Sequence, residues 1–393
     1  MNEHSATRNV VVIGGGYAGT IAANRLRARD DVRVTLVNPR PQFVERLRLH
    51  QLAAGTGEAE IDYGTLLGEG VELVVDKAER IDAGARTVRL ASGGTLDYDY
   101  LVYAVGSTGA TPVAVPGAAE FAYDIAELEP ARRLRAGLED LPLDAPVTVV
   151  GGGLTGIEIA AELAEQGRRV ALVCGRALAP YLSEPGRRYV AKWLNKNGVT
   201  VIEGDNVAEV RADAVRLASG AERASVLTIW TAGFAVPDLA AASGLSTDGL
   251  GRLLTDETLT SVDDDRIVAA GDCAAPSGQA LRMSGYAAGP LGARAADTVL
   301  SRIAGTEPAV IDLGFTGACV SLGRRDGIRQ IGRKDDSMTG LFIGGRLGAF
   351  IKEATCRFVV AKRIRLEARK PGTMIWIKGG PRALEPVAER SRA

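Results

Sequence analysis

The sequence predicts an α/β chain in which one parallel-sheet module occurs twice, followed by a third region of different character. Residues 9–13, NVVVI, break at Gly14-Gly15-Gly16, run into the helix-compatible YAGTIAANRLRAR and return as VRVTLV. Strand, glycine turn, helix and strand in that order open a doubly wound sheet. Residues 147–173 repeat the grammar as VTVV, GGGLTG, IEIAAELAEQG and RVALVC, so the module is duplicated. A length of 393 residues accommodates two or three domains, each with its own core.

Between the two modules, VELVVDKAERIDA, TVRLASG and TLDYDYLVYAVG read as a small antiparallel insertion that returns to the parallel sheet. The second half echoes it with VTVIEG, VAEVRADAVRLASG and VLTIWTAG. Residues 130–146, with Pro130, Pro142 and Pro146, read as a connecting helix and loop. The third region begins near residue 312, and its basic stretch after Gly345 reads as helix.

Composition narrows the partners. Forty-seven Lys and Arg against 48 Asp and Glu leave no global field to select nucleic acid or an anionic membrane. Cys174, Cys273, Cys319 and Cys356 are scattered without close pairs, which suggests neither a disulfide framework nor a metal site and fits a reducing cytoplasm. The first eight residues, MNEHSATR, are polar, and no apolar run approaches the roughly 20 residues of a spanning helix. A cytoplasmic protein, at most peripheral on the inner face of a membrane, is expected.

The chemistry lies in the glycine turns. Gly14, Gly16 and Gly19 form G-x-G-x-x-G directly after a strand, with Tyr17 and Ala18 opening the helix. A side chain at Gly16 would block a dinucleotide pyrophosphate, whose charge the free amides of the helix start attract. The position ending the next strand usually holds an acid for the ribose hydroxyls; here it is Asn38, followed by Pro39 and Arg40. Asn38 can still accept a hydroxyl hydrogen bond, although without charge. The second fingerprint is Gly151, Gly153 and Gly156, with Thr155 inside it and Glu158 two residues beyond. Two fingerprints imply two dinucleotides. The second module's strand ends in Cys174-Gly175-Arg176 without an acid. Arg176 is placed to pair with a 2′-phosphate, which leans the choice toward NADPH over NADH, or else is an ordinary surface arginine.

With these motifs in order, the chain resembles the FAD and NAD(P) two-dinucleotide oxidoreductases, most of all their type II NADH dehydrogenase branch. Three further segments carry the resemblance: LDYDYLVYAVGS (96–107), VLTIWTAGF (226–234) and RIVAAGDCA (266–274). It extends over roughly residues 9–305 and implies two Rossmann-like domains, with the nicotinamide domain nested in the FAD domain. The corresponding boundaries are 1–115 with 256–310 for FAD, 116–255 for NAD(P)H, and 311–393 for a C-terminal region. Carried over by position, Ala104 and Gly106 belong to the first seam, Ala232 and Gly233 to the second. Gly271 and Asp272 match the pair whose aspartate binds the ribityl and phosphate side of FAD. The resemblance also places Glu158 near the nicotinamide and the segment with Phe43, Glu45, Arg48 and His50 near the isoalloxazine. There His50 could exchange a proton, or be simply structural.

Departures shape the expected reaction. The segment PRPQFVERLRLHQLAAG lacks the cysteines of disulfide-reducing relatives, so electrons should pass from flavin directly to an acceptor. Where type II enzymes usually present a glutamine near the quinone, this chain offers Gly285 and Tyr286. The expected enzyme passes hydride from NADH or NADPH to FAD and then to a small, quinone-like acceptor. A ferredoxin-like protein carrier, a specialised metabolite and a non-catalytic redox sensor are the alternatives. From Leu341 onward, 12 Lys or Arg stand against 4 Asp or Glu. There Leu347, Phe350, Ile351, Ala354, Phe358, Ala361 and Ile364 recur at helical spacing. Such a basic amphipathic helix suits an anionic bilayer, packing on the FAD domain, or a homodimer.

Overall fold

The computed structural model describes residues 7–110, 114–380 and 382. The polar residues 1–6 and the end of the C-terminal region lie outside them, as does the side chain of Ala361. The first module runs β1 (Arg8–Ile13), α1 (Tyr17–Leu26), β2 (Val32–Asn38), α2 (Leu49–Ala53), β3 (Val71–Val75) and β4 (Tyr100–Tyr103). The second runs β5 (Ala122–Asp124), α3 (Leu128–Glu139), β6 (Val147–Val150), α4 (Leu154–Glu165), β7 (Val170–Val173), α5 (Glu184–Lys196), β8 (Thr200–Ile202) and β9 (Leu227–Trp230). The chain then returns to the first sheet with β10 (Ile267–Ala269) and α6 (Gly285–Ile303). The sheets have the orders β10-β4-β1-β2-β3 and β5-β9-β6-β7-β8, and every pairing in both is parallel.

Parallel strands covered on both faces need continuous apolar runs rather than alternation. This explains why Val10–Ile13 of β1 and all of β6 are buried. VELVV, expected in the antiparallel insertion, instead forms the parallel edge strand β3 beside β2. Only Ala78–Asp82, Thr87–Leu90 and Thr95–Asp97 form the antiparallel sheet. VTVIEG behaves likewise and supplies the parallel edge β8. A short apolar run carries no information on strand direction.

Helices α1 and α6 cross at very close range. A Cβ on Gly292 would lie 2.1 Å from the Ala18 carbonyl oxygen, so the small residues of both helices are a packing requirement. The C-terminal region is a three-stranded antiparallel sheet, β11 (Gly317–Leu322), β12 (Asp326–Gly332) and β13 (Met338–Ile343), followed by α7 (Gly345–Arg357). The helix expected through Ile364 departs from α-geometry after Arg357. It continues as a π-helical turn, Phe358–Ile364, and a last α-turn, Arg365–Arg369.

Candidate active site

Each parallel module forms its glycine turn where its central strand ends, and the two turns are built alike. Gly14 has φ +102°, and a Cβ there would lie 2.4 Å from the Ala104 carbonyl oxygen at the end of β4. Gly19 faces the Gly14 carbonyl, which a Cβ would approach to 1.8 Å. Gly16 differs: it caps α1 without any side-chain hydrogen bond, and a Cβ would meet nothing within 4 Å. A helix start with an open face and no side-chain cap is a cradle for an anion. The residues therefore fit the pyrophosphate of a dinucleotide, which a side chain at Gly16 would obstruct. Ala18, one residue after the buried Tyr17, meets Gly271, whose own Cβ would lie 3.1 Å from the Ala18 methyl.

In the second turn, a Cβ on Gly151 would lie 2.5 Å from Thr231 Oγ1 and 3.0 Å from the Ala232 nitrogen, and one on Gly156 would lie 1.9 Å from the Gly151 carbonyl. Gly153 again caps its helix, α4, without a side chain and faces open space, with Thr155 exposed in the first turn. Gly233 follows the seam with φ +87°. Arg176, after the carboxyl end of β7, is exposed and has no ion pair among the described residues. The structure thus gathers the expected glycines into two separate cradles, each backed by its own seam segment.

Around the first cradle the polar side chains are fixed. Asn38 Oδ1 accepts from the Gly15 nitrogen at 2.9 Å, and its Nδ2 donates to the Arg40 carbonyl at 2.8 Å. The Tyr63 hydroxyl donates to the Gly15 carbonyl at 2.7 Å. Asn38 therefore holds the loop itself, which a reading confined to ribose contact misses. Arg40 is engaged by Glu129 and Glu127 at 2.6 and 3.0 Å. Asp272 accepts from Ser107 Oγ at 2.7 Å and from the Ser284 nitrogen at 3.2 Å. Arg46 donates to the Ser107 carbonyl at 2.7 Å, and Gly106 turns beside it with φ +71°.

The second feature is a buried polar cluster. Glu158, on α4, accepts from Lys352 Nζ at 2.8 Å and from the Ser321 nitrogen at 2.9 Å. His50, on α2, places Nδ1 3.7 Å from Glu158 and Nε2 3.3 Å from Ser321 Oγ. Burial holds His50 down, from 6.5 to about 4, despite the neighbouring carboxylate, so the imidazole is neutral near pH 7. Burial opposes the charge on Glu158, but Lys352, His50 and the hydrogen bonds outweigh it and keep the acid below its usual range. Glu158 is thus an ionised anchor for Lys352. Beside it, burial raises Glu45, whose Oε2 accepts from Arg48 at 3.1 Å while Oε1 is buried without a partner. Lys352 and Ser321 come from the C-terminal region, which the sequence reading did not connect to the site. No sequence signal marks either residue, because the amphipathic spacing places Lys352 on the polar side of its helix.

The four cysteines are free. Burial raises Cys174 and Cys273 to about 12 and raises Cys356 as well, so none of these three is a thiolate near neutrality. Cys273 donates to the carbonyls of Ala270 and Tyr103 at 3.3 and 3.5 Å.

Comparison with known proteins follows the same lines. The family model described as pyridine nucleotide-disulphide oxidoreductase matches residues 8–294. An NADH dehydrogenase-like protein of Mycobacterium tuberculosis is 36% identical over 295 residues, covering 68% of this chain and 72% of that protein. A type II NADH:quinone oxidoreductase of Staphylococcus saprophyticus is 27% identical over 392 residues, covering 88% of this chain and 93% of the relative. Among solved structures, the sulfide:quinone oxidoreductase of Aquifex aeolicus shares the fold with a TM-score of 0.79 at 20% identity, covering 92% of each chain.

Proposed function

Because the chain belongs to the pyridine nucleotide-disulphide oxidoreductase family, whose members bind FAD and NAD(H), we propose that it is an NAD(P)H:quinone oxidoreductase. The observation that carries this reading is the pair of uncapped, open helix starts at Gly16 and Gly153. The first cradle, Asp272 and Ala104 would hold FAD, in a domain formed by residues 1–115 and 256–310. The second cradle would hold the nicotinamide nucleotide in residues 116–255, with Arg176 favouring a 2′-phosphate. Bound FAD supplies the redox chemistry, accepting hydride from the nicotinamide and returning two electrons to the acceptor. The balance is NAD(P)H + H⁺ + quinone giving NAD(P)⁺ + hydroquinone, so the acceptor takes up one proton beyond the hydride.

The protein's own groups divide that work. The glycine turns at Gly16 and Gly153 would hold the two pyrophosphates and so orient the nucleotides. Glu158 stays ionised under Lys352 and His50 stays neutral, while burial favours the protonated form of Glu45. Burial raises Glu45 above the usual carboxylate range against the pull of Arg48, and its buried Oε1 has no partner, which makes it the candidate proton-handling acid of the site. Cys174, Cys273 and Cys356 are buried, protonated thiols, so these three support no thiolate relay.

A membrane-surface role rests on α7. Leu347, Phe350 and Phe358 are 57%, 69% and 44% exposed, beside exposed Arg346, Arg357 and Lys362. Packing of these three on the chain's own FAD domain, one of the sequence expectations, does not occur, whereas Ile364 is buried. An anionic bilayer reached from the cytoplasmic side suits such a face.

The test is steady-state oxidation of NADH and NADPH by FAD-loaded protein with a panel of quinones, ferricyanide and a ferredoxin. Quinone reduction at rates matching flavin reduction is the expected result. Turnover with the ferredoxin alone would replace the proposal by a carrier-protein reductase.

A further inference from the structure

The π-helical turn closes a narrow cleft over the crossing of α1 and α6, lined by Tyr17, Gly285, Gly289, Arg363 and Met374. The cleft is shallow and open to solvent, so it encloses no molecule and offers Arg363 at its wall. Tyr17 and Gly285 connect it to the first cradle. Tyr17 follows Gly16, and Gly285 follows Ser284, whose nitrogen donates to Asp272.

Arg363 is the unusual member of this wall. Several partly buried arginines in this part of the chain hold carboxylates, Arg25 with Asp297 and Glu367, Arg48 with Glu353 and Arg282 with Asp336, whereas Arg294, which does not line the cleft, lies over the Trp376 ring. Arg363 has no ion pair or hydrogen bond among the described residues. Its guanidinium instead lies over the rings of Phe358 and Tyr286, at 5.1 and 5.9 Å from their centroids. Glu367, only four positions further on, is occupied by Arg25, the Gly372 and Met374 nitrogens and Thr373. Tyr286 is itself fixed, its hydroxyl donating to the Gly314 carbonyl at 3.0 Å and its ring tilted against Phe315. Burial lowers the pKa of Arg363, which marks a desolvated cation that its surroundings do not compensate. Arginine nonetheless stays protonated, with planar donors suited to a carboxylate or an enolate oxygen.

We infer that Arg363 is a specificity-determining residue for the electron acceptor and selects a quinone-type ring bearing an anionic oxygen. This inference rests on the quinone reading above. An anion would complete the missing ion pair, while Phe358 and Tyr286 keep the guanidinium in place by cation–π contact. It also accounts for the glutamine position: Gly285 offers no side chain and packs against Leu47, where a Cβ would lie 3.3 Å from Cδ1, so recognition moves from a neutral amide to a cation.

The FAD-loaded enzyme is tested with two naphthoquinones, 2-hydroxy-1,4-naphthoquinone, which is ionised at neutral pH, and neutral 2-methyl-1,4-naphthoquinone. In Arg363→Gln, KM for the ionised quinone should rise about 10-fold or more, the loss expected for one charge-assisted contact, with the neutral quinone changed less than about 2-fold. Arg363→Lys should restore part of the difference, and flavin reduction by NADH should be unchanged in both variants. Equal effects on the two quinones, or none, would overturn the inference. A second arm is independent of turnover. With NAD⁺ present, equilibrium dialysis of redox-inert 1-hydroxy-2-naphthoate against oxidised enzyme should show binding that Arg363→Gln abolishes and that 1-naphthol does not reproduce. If neither quinone is reduced although ferricyanide is, the quinone reading fails and this arm alone decides whether Arg363 selects anions. Binding unaffected by the substitution would reject it.

Discussion

Replacing Lys352 by methionine removes the cation from a buried pair while keeping the length of the side chain. In the parent, Nζ lies 2.8 Å from Glu158, and both side chains are only 9% exposed. Glu158 would retain the Ser321 nitrogen at 2.9 Å and Ser321 Oγ at 3.2 Å, but no buried cation. Breaking one partner of such a pair costs about 3–5 kcal/mol when the remaining charge stays buried. The penalty should depend on pH, because two nearby groups can relieve it by taking a proton. Glu158 loses the neighbour that held its pKa down, and His50, 3.7 Å away, loses a cation that contributed to its low value of about 4.

The signs agree. In the parent, depressed His50 favours the deprotonated folded state, so its contribution is fully present above about 6.5 and is lost as pH falls toward about 4. In Lys352→Met, His50 titrates higher and that loss shrinks, while a protonated His50 or Glu158 removes the bare charge. Urea unfolding should show a deficit of about 3–5 kcal/mol near pH 8 and less than about half of it near pH 5.5. With only two histidines in the chain, His4 and His50, the His50 ring protons should be assignable and should titrate upward in the variant. Adding Glu158→Gln should recover much of the stability near pH 8. A pH-independent deficit, or none near pH 8, would refute the assignment of Glu158 as an ionised, Lys352-dependent anchor.

Three other outcomes are expected. Gly16→Val should fold but lose FAD, whereas Gly153→Val should keep FAD and raise the KM for NADH about 10-fold or more, since each side chain fills only its own cradle; FAD content and KM measured together detect any crossing of these effects. Arg176→Ala should weaken NADPH relative to NADH by about 1.5–3 kcal/mol, the value of a charge-assisted contact, and equal losses for both nucleotides would show that it does not read the 2′-phosphate. Replacing all four cysteines by Ala or Ser should leave quinone reduction within a few-fold of the parent; a variant reduced by nucleotide but unable to pass electrons on would reveal a thiol relay.

The two cradles were legible because their constraint is written in residue type. Gly14 and Gly19 sit where a Cβ would strike backbone, and Gly16 where it would enter open space, so the spacing alone placed all three in the turn. The direction of β3 was not legible, since VELVV pairs equally well as a parallel edge or an antiparallel strand until its neighbours are known. Asn38 was legible as a departure but not as a loop anchor, because its hydrogen bond to the Gly15 nitrogen depends on the turn's final shape. Lys352 and Ser321 escaped altogether. Their meeting with Glu158 is a contact between sequence-distant elements, and neither lies in a pattern that distinguishes it from surface residues.

The C-terminal helix illustrates how far an amphipathic pattern can mislead about which face is inward. Helical spacing groups Leu347, Phe350, Ala354 and Phe358, and in a self-contained domain such a stripe faces the core. In α7 Leu347, Phe350 and Ala354 are exposed, as is Phe358 at the start of the π-helical turn, while Gly348, Lys352 and Cys356 are buried. Two contacts explain the orientation. A Cβ at Gly348 would lie 2.2 Å from the Gly327 carbonyl, so only glycine permits this close seat on β12. One helical turn further on, Lys352 reaches Glu158 of the second module, and the adjacent Glu353 binds Arg48 of the first at 2.8 Å. The helix is therefore oriented by backbone proximity and charge, and the apolar stripe remains on the outside, available to a bilayer or to another chain. Its inward residues bridge the segments on which the proposed site depends, so substitutions on the two faces should separate cleanly. Leu347 and Phe350 to serine should reduce sedimentation with anionic vesicles while leaving quinone reduction by the soluble enzyme unchanged. Binding that persists in the double variant would assign the stripe to a contact other than a bilayer.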